Sequence, residues 1–240
     1  MNQRETLDKF DVRIEVCGEL VEKAFALRHK VFLKAAGRDE DKYDKFCTHV
    51  VVIDKETKAV VGTYRVLLRS VADKTEGFYA ETKFDLTNIR KNCQGELLEL
   101  GRACVDENYR KYPIINLVWK AIESYTKEHK VKYIFGASRI NDPTPQRAGQ
   151  VFRFFKENFY SDPKYRVYPL KGTAYPYSKE LKDYNKITAM RMFSSLIKSY
   201  LKMGALVCGE PAINKPFDSV VFFMLLDFEK FNSAYKSKFL

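Results

Sequence analysis

Residues 97–105 have the sequence LLELGRACV, in which aliphatic residues surround one carboxylate, Glu99. This composition predicts a buried strand, and alternation along the strand places Glu99 on one of its faces. Burial disfavours an ionised carboxylate unless it is paired or used. Two interpretations of Glu99 stay open: a structural ion pair with Arg102, three residues later, or a catalytic group.

Helical and strand-like segments alternate around this strand, which is typical of an α/β or α+β fold. Upstream, apolar residues at helical spacing predict an amphipathic helix over 17–32, followed by a polar loop over 37–46. Two β-prone runs, 49–54 and 59–68, are separated by a turn-like DKETK and therefore predict an antiparallel hairpin.

Downstream of the strand, Pro113 predicts the start of a helix that ends near Lys130, because proline is favoured at a first helical position. The remaining predicted elements are a strand over 133–137, helices over 148–159 and 187–203, and a strand over 220–227. Residues 143–186 hold five of the eight prolines and many tyrosines. We interpret them as an insertion or lid in a single domain that spans residues 1–240.

The net charge predicts an acidic partner. Lys and Arg number 42 against 31 Asp and Glu, a formal charge of +11, which would attract nucleic acid, anionic lipid or an acidic protein. No nucleic-acid-binding motif accompanies this charge, so nucleic acid is not an expected partner.

The cysteine, histidine and apolar residues indicate where the protein is located and whether it holds a metal. Five cysteines without a CxxC pair suit a reducing cytosol, and three scattered histidines show no metal-ligand spacing. The first thirty residues carry charges every few positions, and no apolar run approaches the roughly 20 residues of a bilayer span. These features predict a soluble, cytoplasmic protein without a metal site.

A second group of charged residues is as difficult to bury as Glu99. It consists of Arg28, followed by Phe32, in the first predicted helix, Asp41 and Asp44 in the loop, and Arg65 in the hairpin. If these residues converge, they form either a salt-bridge framework or a pocket for a zwitterion. The pattern alone does not choose between the two.

The same residues carry a resemblance to a known family. Arg28 with Phe32, Asp41 with Asp44, GTYR at 62–65 and Glu99 with Arg102 resemble the N-acyltransferase group of the GNAT superfamily, which includes acyl-homoserine lactone synthases and N-acyl amino acid synthases. Further segments are similar to the bacterial ornithine-acyl carrier protein N-acyltransferases that begin ornithine lipid synthesis. These segments are FYAETKFDL (78–86), ELGRACVDENYR (99–110), Trp119, FGAS (135–138) and LIKSYLKMGALVCGEPAINKPF (196–217). The resemblance covers about residues 20–230 and implies a GNAT-like acyltransferase fold, with a mixed central sheet flanked by helices.

The activity implied by the resemblance is transfer of a fatty acyl chain, commonly 3-hydroxylated, from acyl carrier protein to the α-amine of an amino acid. Ornithine is the first candidate, with glycine or another amino acid open, and the product would be a lyso-aminolipid. No separate cofactor is implied, since the acyl-phosphopantetheine of the carrier protein is the donor substrate. Two alternatives stay open: an acyl-homoserine lactone synthase that uses S-adenosylmethionine, and a non-catalytic acyl- or membrane-binding module.

Residue roles also follow from the resemblance. Glu99 is the implied general base for the acceptor ammonium, and Arg102 and Arg65 are candidates for holding its carboxylate. The remaining candidates for substrate binding, by contact or by ordering the closing loop, are Arg28, Phe32, Asp41 and Asp44. Backbone amides near Cys104 and Val105 would polarise the thioester carbonyl.

The segment after the strand favours one kind of donor. Where GNAT enzymes that use coenzyme A carry a glycine-rich diphosphate loop, residues 110–115 are RKYPII, without glycine and with a proline that lacks an amide donor. Arg110 and Lys111 can still hold a single phosphopantetheine phosphate, so we expect acyl carrier protein rather than acyl-CoA.

The excess charge fits docking of acyl carrier proteins, which are acidic as a family. Peripheral contact with an anionic inner-membrane surface is the second expectation. The aromatic residues in 228–239 fit membrane contact or, as the favoured interpretation, packing on the core.

Overall fold

A computed structural model describes residues 8–181 and 183–230, which form two compact units. The first comprises 8–77 and 98–131, and the second comprises the other described residues. In neither described range does a helix combine the length and the hydropathy needed to cross a bilayer. The single domain over 1–240, with 143–186 as an insertion, stays a prediction.

The helices are α1 (Glu19–Leu33), α2 (Arg69–Ala72), α3 (Thr87–Asn92), α4 (Ile114–Glu128), α5 (Pro145–Asn158), α6 (Lys186–Arg191) and α7 (Ser195–Met203). The strands are β1 (Phe10–Glu15), β2 (Thr48–Asp54), β3 (Val60–Leu68), β4 (Phe84–Asp85), β5 (Glu96–Val105), β6 (Val131–Arg139), β7 (Tyr168–Pro169), β8 (Leu206–Val207), β9 (Ala212–Asn214) and β10 (Ser219–Asp227). Short 3₁₀ helices lie at Asp44–Phe46, Tyr79–Thr82, Glu107–Tyr109, Pro163–Tyr165, Lys215–Phe217 and Phe228–Lys230.

The first unit is an antiparallel sheet with a helix on each face. Its strands lie in the order β1, β2, β3 and β5. Helix α1 packs Ala24 and Leu27 against Val51 of β2. On the other face, Trp119 of α4 contacts Tyr64 of β3 edge to face, with ring centroids 6.3 Å apart. Because side chains alternate along a strand, each face buries its own apolar set.

In the second unit, β10 is the central strand and pairs antiparallel with β6, β8 and β9. Phe222 stacks on Phe152 of α5 and meets Phe155 edge to face, with centroids 6.0 and 5.1 Å apart. The next residue, Phe223, contacts Phe84 instead, at 5.8 Å. Burial on both faces explains why this strand is the most continuously β-prone run in the sequence.

Most predicted elements are confirmed: the helix at 17–32, the hairpin, the strand around Glu99 and the helix after Pro113. The predicted helix at 187–203 is wrong, because it is two helices, α6 and α7. Between them, Phe193 forms an isolated bridge with Ile140, and Ser194 Oγ accepts a hydrogen bond from Ile197 N at 3.2 Å. Ser194 therefore caps a new helix.

The aromatic residues in 228–239, here called the aromatic tail, are described only as far as Lys230. Phe231, Tyr235 and Phe239 lie outside the described residues.

Candidate active site

The register of the first unit's sheet aligns several polar side chains. His49 pairs with Arg65 across β2 and β3, and Leu67 pairs with Glu99 across β3 and β5. Directly opposite residues project from the same face, and residues two apart on a strand do as well. His49, Arg65 and Glu99 therefore share the face on which α1 packs.

Strand β5 is interrupted by a β-bulge at Arg102. Arg65 pairs with Gly101 and Thr63 with Cys104, so three steps along β5 match two along β3. Arg102 adopts φ 55°, in the left-handed region, which costs a non-glycine residue about 1–2 kcal/mol. A bulge twists the strand and redirects a side chain. The contacts that hold this conformation come from the residues 34–47, which we call the carboxylate loop.

Six charged side chains form a closed ring in which arginine and aspartate alternate, here called the ion-pair ring. Its members, in order, are Arg28, Asp44, Arg65, Asp41, Arg102 and Asp39. Arg28 donates to Asp44 Oδ1 at 2.7 Å and Oδ2 at 3.1 Å, and to Asp39 Oδ2 at 2.8 Å. Arg65 Nη1 lies 2.7 Å from Asp41 Oδ1 and 3.1 Å from Asp44 Oδ1. Arg102 donates from Nε to Asp39 at 3.1 Å and from Nη2 to Asp41 at 2.7 Å.

The ring ties the carboxylate loop to α1, β3 and β5. Arg28 and the Asp44 side chain are fully buried, and Asp41 is the most exposed member, at 21%. Backbone amides add to the ring, since Asp41 N donates to Asp44 Oδ2 at 2.7 Å and Tyr43 N donates to Asp41 Oδ1 at 2.9 Å. Three positive and three negative charges compensate one another, as buried charges require.

Electrostatics hold the Asp44 carboxylate in its ionised form. Burial opposes the charge on Asp44, but its hydrogen bonds with Arg28 and the charges of Arg65 and Arg28 outweigh burial and hold its pKa well below the usual value. His49 lies beside this pair, with Nε2 3.4 Å from the Asp44 carbonyl oxygen. Burial, helped by the charges of Arg28 and Arg65, lowers the pKa of His49 to about 4 against the pull of Asp44, so the imidazole is neutral at pH 7.

Glu99 lies close to the ring and is 6% exposed. Burial is the main cause that raises the pKa of the Cys47 thiol to about 12, and the charges of Asp44 and Glu99 add to it. Glu99 similarly contributes, after burial, to the raised pKa of Tyr43. The guanidinium of Arg102, which the structural interpretation paired with Glu99, hydrogen-bonds to Asp39 and Asp41.

Phe32 and Cys104 meet in an apolar cluster next to the bulge. Phe32 is half-buried and packs against a core that contains Leu27, Val51 and Cys104. Burial raises the pKa of Cys104 to about 12, so its thiol stays protonated and is a poor nucleophile. Val105, the last residue of β5, pairs with Gly62.

Arg110 and Lys111 lie in the exposed turn between β5 and α4. Among the described residues, neither forms an ion pair with a member of the ion-pair ring. Lys111 Nζ is 5.3 Å from the centroid of the Tyr112 ring. The turn begins at Asp106, which accepts hydrogen bonds from Lys30 Nζ at 2.8 Å and from Asn108 N at 3.0 Å. A basic, exposed turn before a helix can contact an anionic donor group.

Sequence reasoning missed Asp39, which joins Arg28 to Arg102. The only signal was its place in an acidic stretch, where Asp39, Glu40 and Asp41 follow one another. Within the described ranges, no group of three or more His, Cys, Asp or Glu side chains is arranged to hold a metal ion. The absence of a metal from the reaction stays a prediction.

Comparisons with known proteins show what the chain is similar to. Residues 20–120 match the family model described as an acetyltransferase (GNAT) domain. An L-ornithine N(alpha)-acyltransferase of Brucella abortus (strain 2308) is 27% identical over 250 residues, which cover 96% of this chain and 89% of the relative. A protein of the same name from Rhizobium meliloti (strain 1021) is 26% identical over 238 residues, covering 90% and 79%.

Among solved structures, the chain resembles FeeM, an N-acyl amino acid synthase from uncultured soil microbes. The TM-score is 0.54 at 11% identity, over 92% of this chain and 91% of that one. A likeness at this identity shows the fold alone.

The chain is an acyltransferase with a GNAT-like fold, as the sequence predicted. More narrowly, the resemblance to ornithine N-acyltransferases is confirmed, and N-acyl transfer is the activity that these relatives support.

Proposed function

We propose that this protein transfers a fatty acyl group from acyl carrier protein to the α-amine of an amino acid, with ornithine as the first candidate. The observation that carries the proposal is the buried carboxylate of Glu99 on the strand face that it shares with Arg65, beside a ring of compensated charges. Relatives that align over 90% or more of the chain and are named L-ornithine N(alpha)-acyltransferase support the acceptor.

In the proposed reaction, Glu99 takes a proton from the acceptor ammonium, directly or through a water molecule. The free amine then attacks the thioester carbonyl carbon, and the bond from carbon to sulfur breaks after the tetrahedral intermediate forms. The phosphopantetheine sulfur leaves and takes up the proton that the attacking nitrogen gives up, and Glu99 releases its own proton to solvent, so that the products are an amide and a thiol. General base catalysis of this kind is typically worth about 10² to 10⁴ in rate.

Backbone amides near Cys104 and Val105, beyond the bulge, would stabilise the oxyanion. Arg65 and Arg102 are proposed to hold the acceptor carboxylate. Because both already contact Asp41, the most exposed aspartate of the ring, the substrate carboxylate would share or displace that contact. The ring then has two roles: it orders the carboxylate loop, and it offers an entry point at Asp41.

The donor is proposed to be acyl carrier protein for two reasons, net charge and the supply of backbone hydrogen-bond donors. The net charge of +11 would attract an acidic protein. Pro113 precedes α4 and lacks the amide that a diphosphate cradle would use, whereas Arg110 and Lys111 suffice for one phosphate. The reaction is proposed to occur in the cytoplasm without a further cofactor.

The proposal is tested by incubating the purified protein with acyl carrier protein or coenzyme A thioesters and a panel of amines, with products read by mass spectrometry. We expect an N-acyl amino acid, formed faster with the carrier protein, and a KM for that donor that rises with salt as screening grows. Absence of an N-acyl product from every amino acid would contradict the proposal. A homoserine lactone formed from S-adenosylmethionine would support the synthase alternative instead.

A further inference from the structure

The second unit carries an open groove with a strongly basic lining, on the segment that the sequence marked as an insertion. Its volume is about 310 Å³, and it is lined by Gly149, Phe152, Arg153, Lys156, Tyr177, Ser178, Lys179 and Leu181. Gly149 permits the close approach of the two walls, since a Cβ atom there would lie 2.2 Å from the carbonyl oxygen of Ser178. The groove is therefore built into the packing of α5 against residues 177–181.

Among the described residues, two of the groove's three cations lack a carboxylate within ion-pair distance. Arg153 Nε pairs with Glu157 Oε1 at 3.0 Å. Lys156 lies 5.0 Å from the Phe152 ring centroid, and neither it nor Lys179 has an acidic partner within ion-pair distance in residues 8–181 and 183–230. Both lysines are exposed. The groove consequently presents uncompensated positive charge next to aromatic rings.

Helix α6 adds exposed aliphatic side chains beside the groove. Ile187 is 65% and Met190 47% exposed, and at i, i+3 they project from one side of the helix. The start of α6 is joined to α5 through Glu157, which accepts a hydrogen bond from Tyr184 Oη at 3.1 Å and lies 3.7 Å from Lys186 Nζ. We call the groove and α6 together the basic groove surface.

The chain's excess positive charge is concentrated in the segment that holds this groove. Residues 143–186 contain nine Lys and Arg against four Asp and Glu, a net charge of +5 out of the chain's +11. Cations next to exposed apolar side chains such as Ile187 and Met190 are typical of proteins that lie on an anionic bilayer, where each basic residue near the surface adds attraction and the apolar side chains enter the headgroup region.

We propose that the basic groove surface binds the anionic headgroups of a lipid bilayer. Lys156, Lys179 and Arg153 contact headgroup phosphates, and Ile187 and Met190 enter the interface. This proposal uses no residue of the reaction and is independent of the proposed function. It differs from membrane contact through the aromatic tail, because it lies on residues 149–191.

The test is co-sedimentation of the full-length protein with vesicles of phosphatidylcholine alone or mixed with phosphatidylglycerol. We expect binding only to the anionic vesicles. The variant Lys156→Glu/Lys179→Glu should lose at least about 10-fold in vesicle affinity. Its matched control is Lys55→Glu/Lys74→Glu, which makes the same change in net charge at exposed lysines of the first unit and should keep most of the affinity. Ile187→Ser should lower vesicle affinity about threefold without a change in charge, because it removes apolar surface from the interface.

The possible outcomes separate this proposal from its rivals. Equal loss in both double variants would mean that only total charge matters and would overturn it, as would equal binding to neutral and anionic vesicles. Loss of acyl carrier protein binding with vesicle binding intact would assign the surface to a protein partner. Circular dichroism and thermal melts verify that each variant is folded, and vesicle binding is measured whether or not acyl transfer is detected.

Discussion

The ion-pair ring and the basic groove surface use the same residue types in opposite ways. The ring buries three arginines against three aspartates and leaves no net charge, whereas the groove exposes two lysines that have no acidic partner among the described residues. Burial makes the difference, because an uncompensated charge is costly inside a protein and inexpensive in water. The net charge of +11 therefore describes the surface and says nothing about the charges at the candidate active site.

Substitution of Arg28 tests this difference between buried and exposed charges, and we expect it to cause the largest loss of stability. Arg28→Met removes a fully buried guanidinium that pairs with Asp39 and Asp44 and leaves three aspartates of the ring against two arginines, which should lower the free energy of unfolding by about 3–5 kcal/mol. The control is Arg13→Met, which removes an exposed ion pair with Asp11 and should cost less than about 1 kcal/mol. Urea unfolding at one pH measures both, and equal losses would contradict the distinction between buried and exposed pairs.

The second effect is a pH dependence from His49. Its pKa is about 4 in the folded protein against an ordinary value of 6.5, so the unfolded chain binds the proton first as the pH falls. The stability that neutral His49 contributes is complete above pH 6.5 and is lost between pH 6.5 and 4, on the order of 3 kcal/mol in total. The depressed pKa of Asp44 adds a further loss only below its ordinary value of 3.8.

Unfolding by urea between pH 7 and 5 tests this effect. His49→Gln should flatten the dependence, while His129→Gln, at the exposed end of α4, should keep it. A His49→Gln variant with the full wild-type slope would show that other groups are responsible.

The smallest expected effect is the backbone strain at Arg102. It is recognised by whether glycine or alanine at this position gives the more stable protein. At φ 55° glycine is unstrained, so Arg102→Gly should be more stable than Arg102→Ala by about 1 kcal/mol. In a regular strand the order reverses, since glycine is the poorer strand residue, and Arg13→Gly against Arg13→Ala in β1 provides that control. If alanine is the more stable residue at both positions, the bulge is not under the strain described.

Much of the ring was predictable, because charged residues inside apolar elements are conspicuous. Arg28, Asp41, Asp44, Arg65 and Arg102 all stood out, and all five are ring members. Asp39 was not distinguishable from its acidic neighbour Glu40, since the direction of a loop side chain depends on tertiary contacts. The pattern also left a salt-bridge framework and a zwitterion pocket open, and the observed ring supports the first directly.

Backbone irregularities explain the remaining differences. The bulge could not be anticipated, because the left-handed residue is Arg102 rather than the adjacent Gly101, and ion pairs rather than glycine support it. The break between α6 and α7 was hidden because apolar periodicity continues through Met192 and Phe193. Its cause is a cap at Ser194 together with the bridge from Phe193 to Ile140.

The central claim is that Glu99 is the base in acyl transfer, and kinetics of Glu99→Gln test it most directly. With acyl carrier protein thioester and ornithine as substrates, kcat/KM should fall by about 10² to 10⁴ while the thermal melt stays close to wild type. Glu96→Gln, at the start of the same strand, is the control and should keep activity. A folded Glu99→Gln variant that turns over within a few-fold of wild type would remove Glu99 from the reaction and contradict the account.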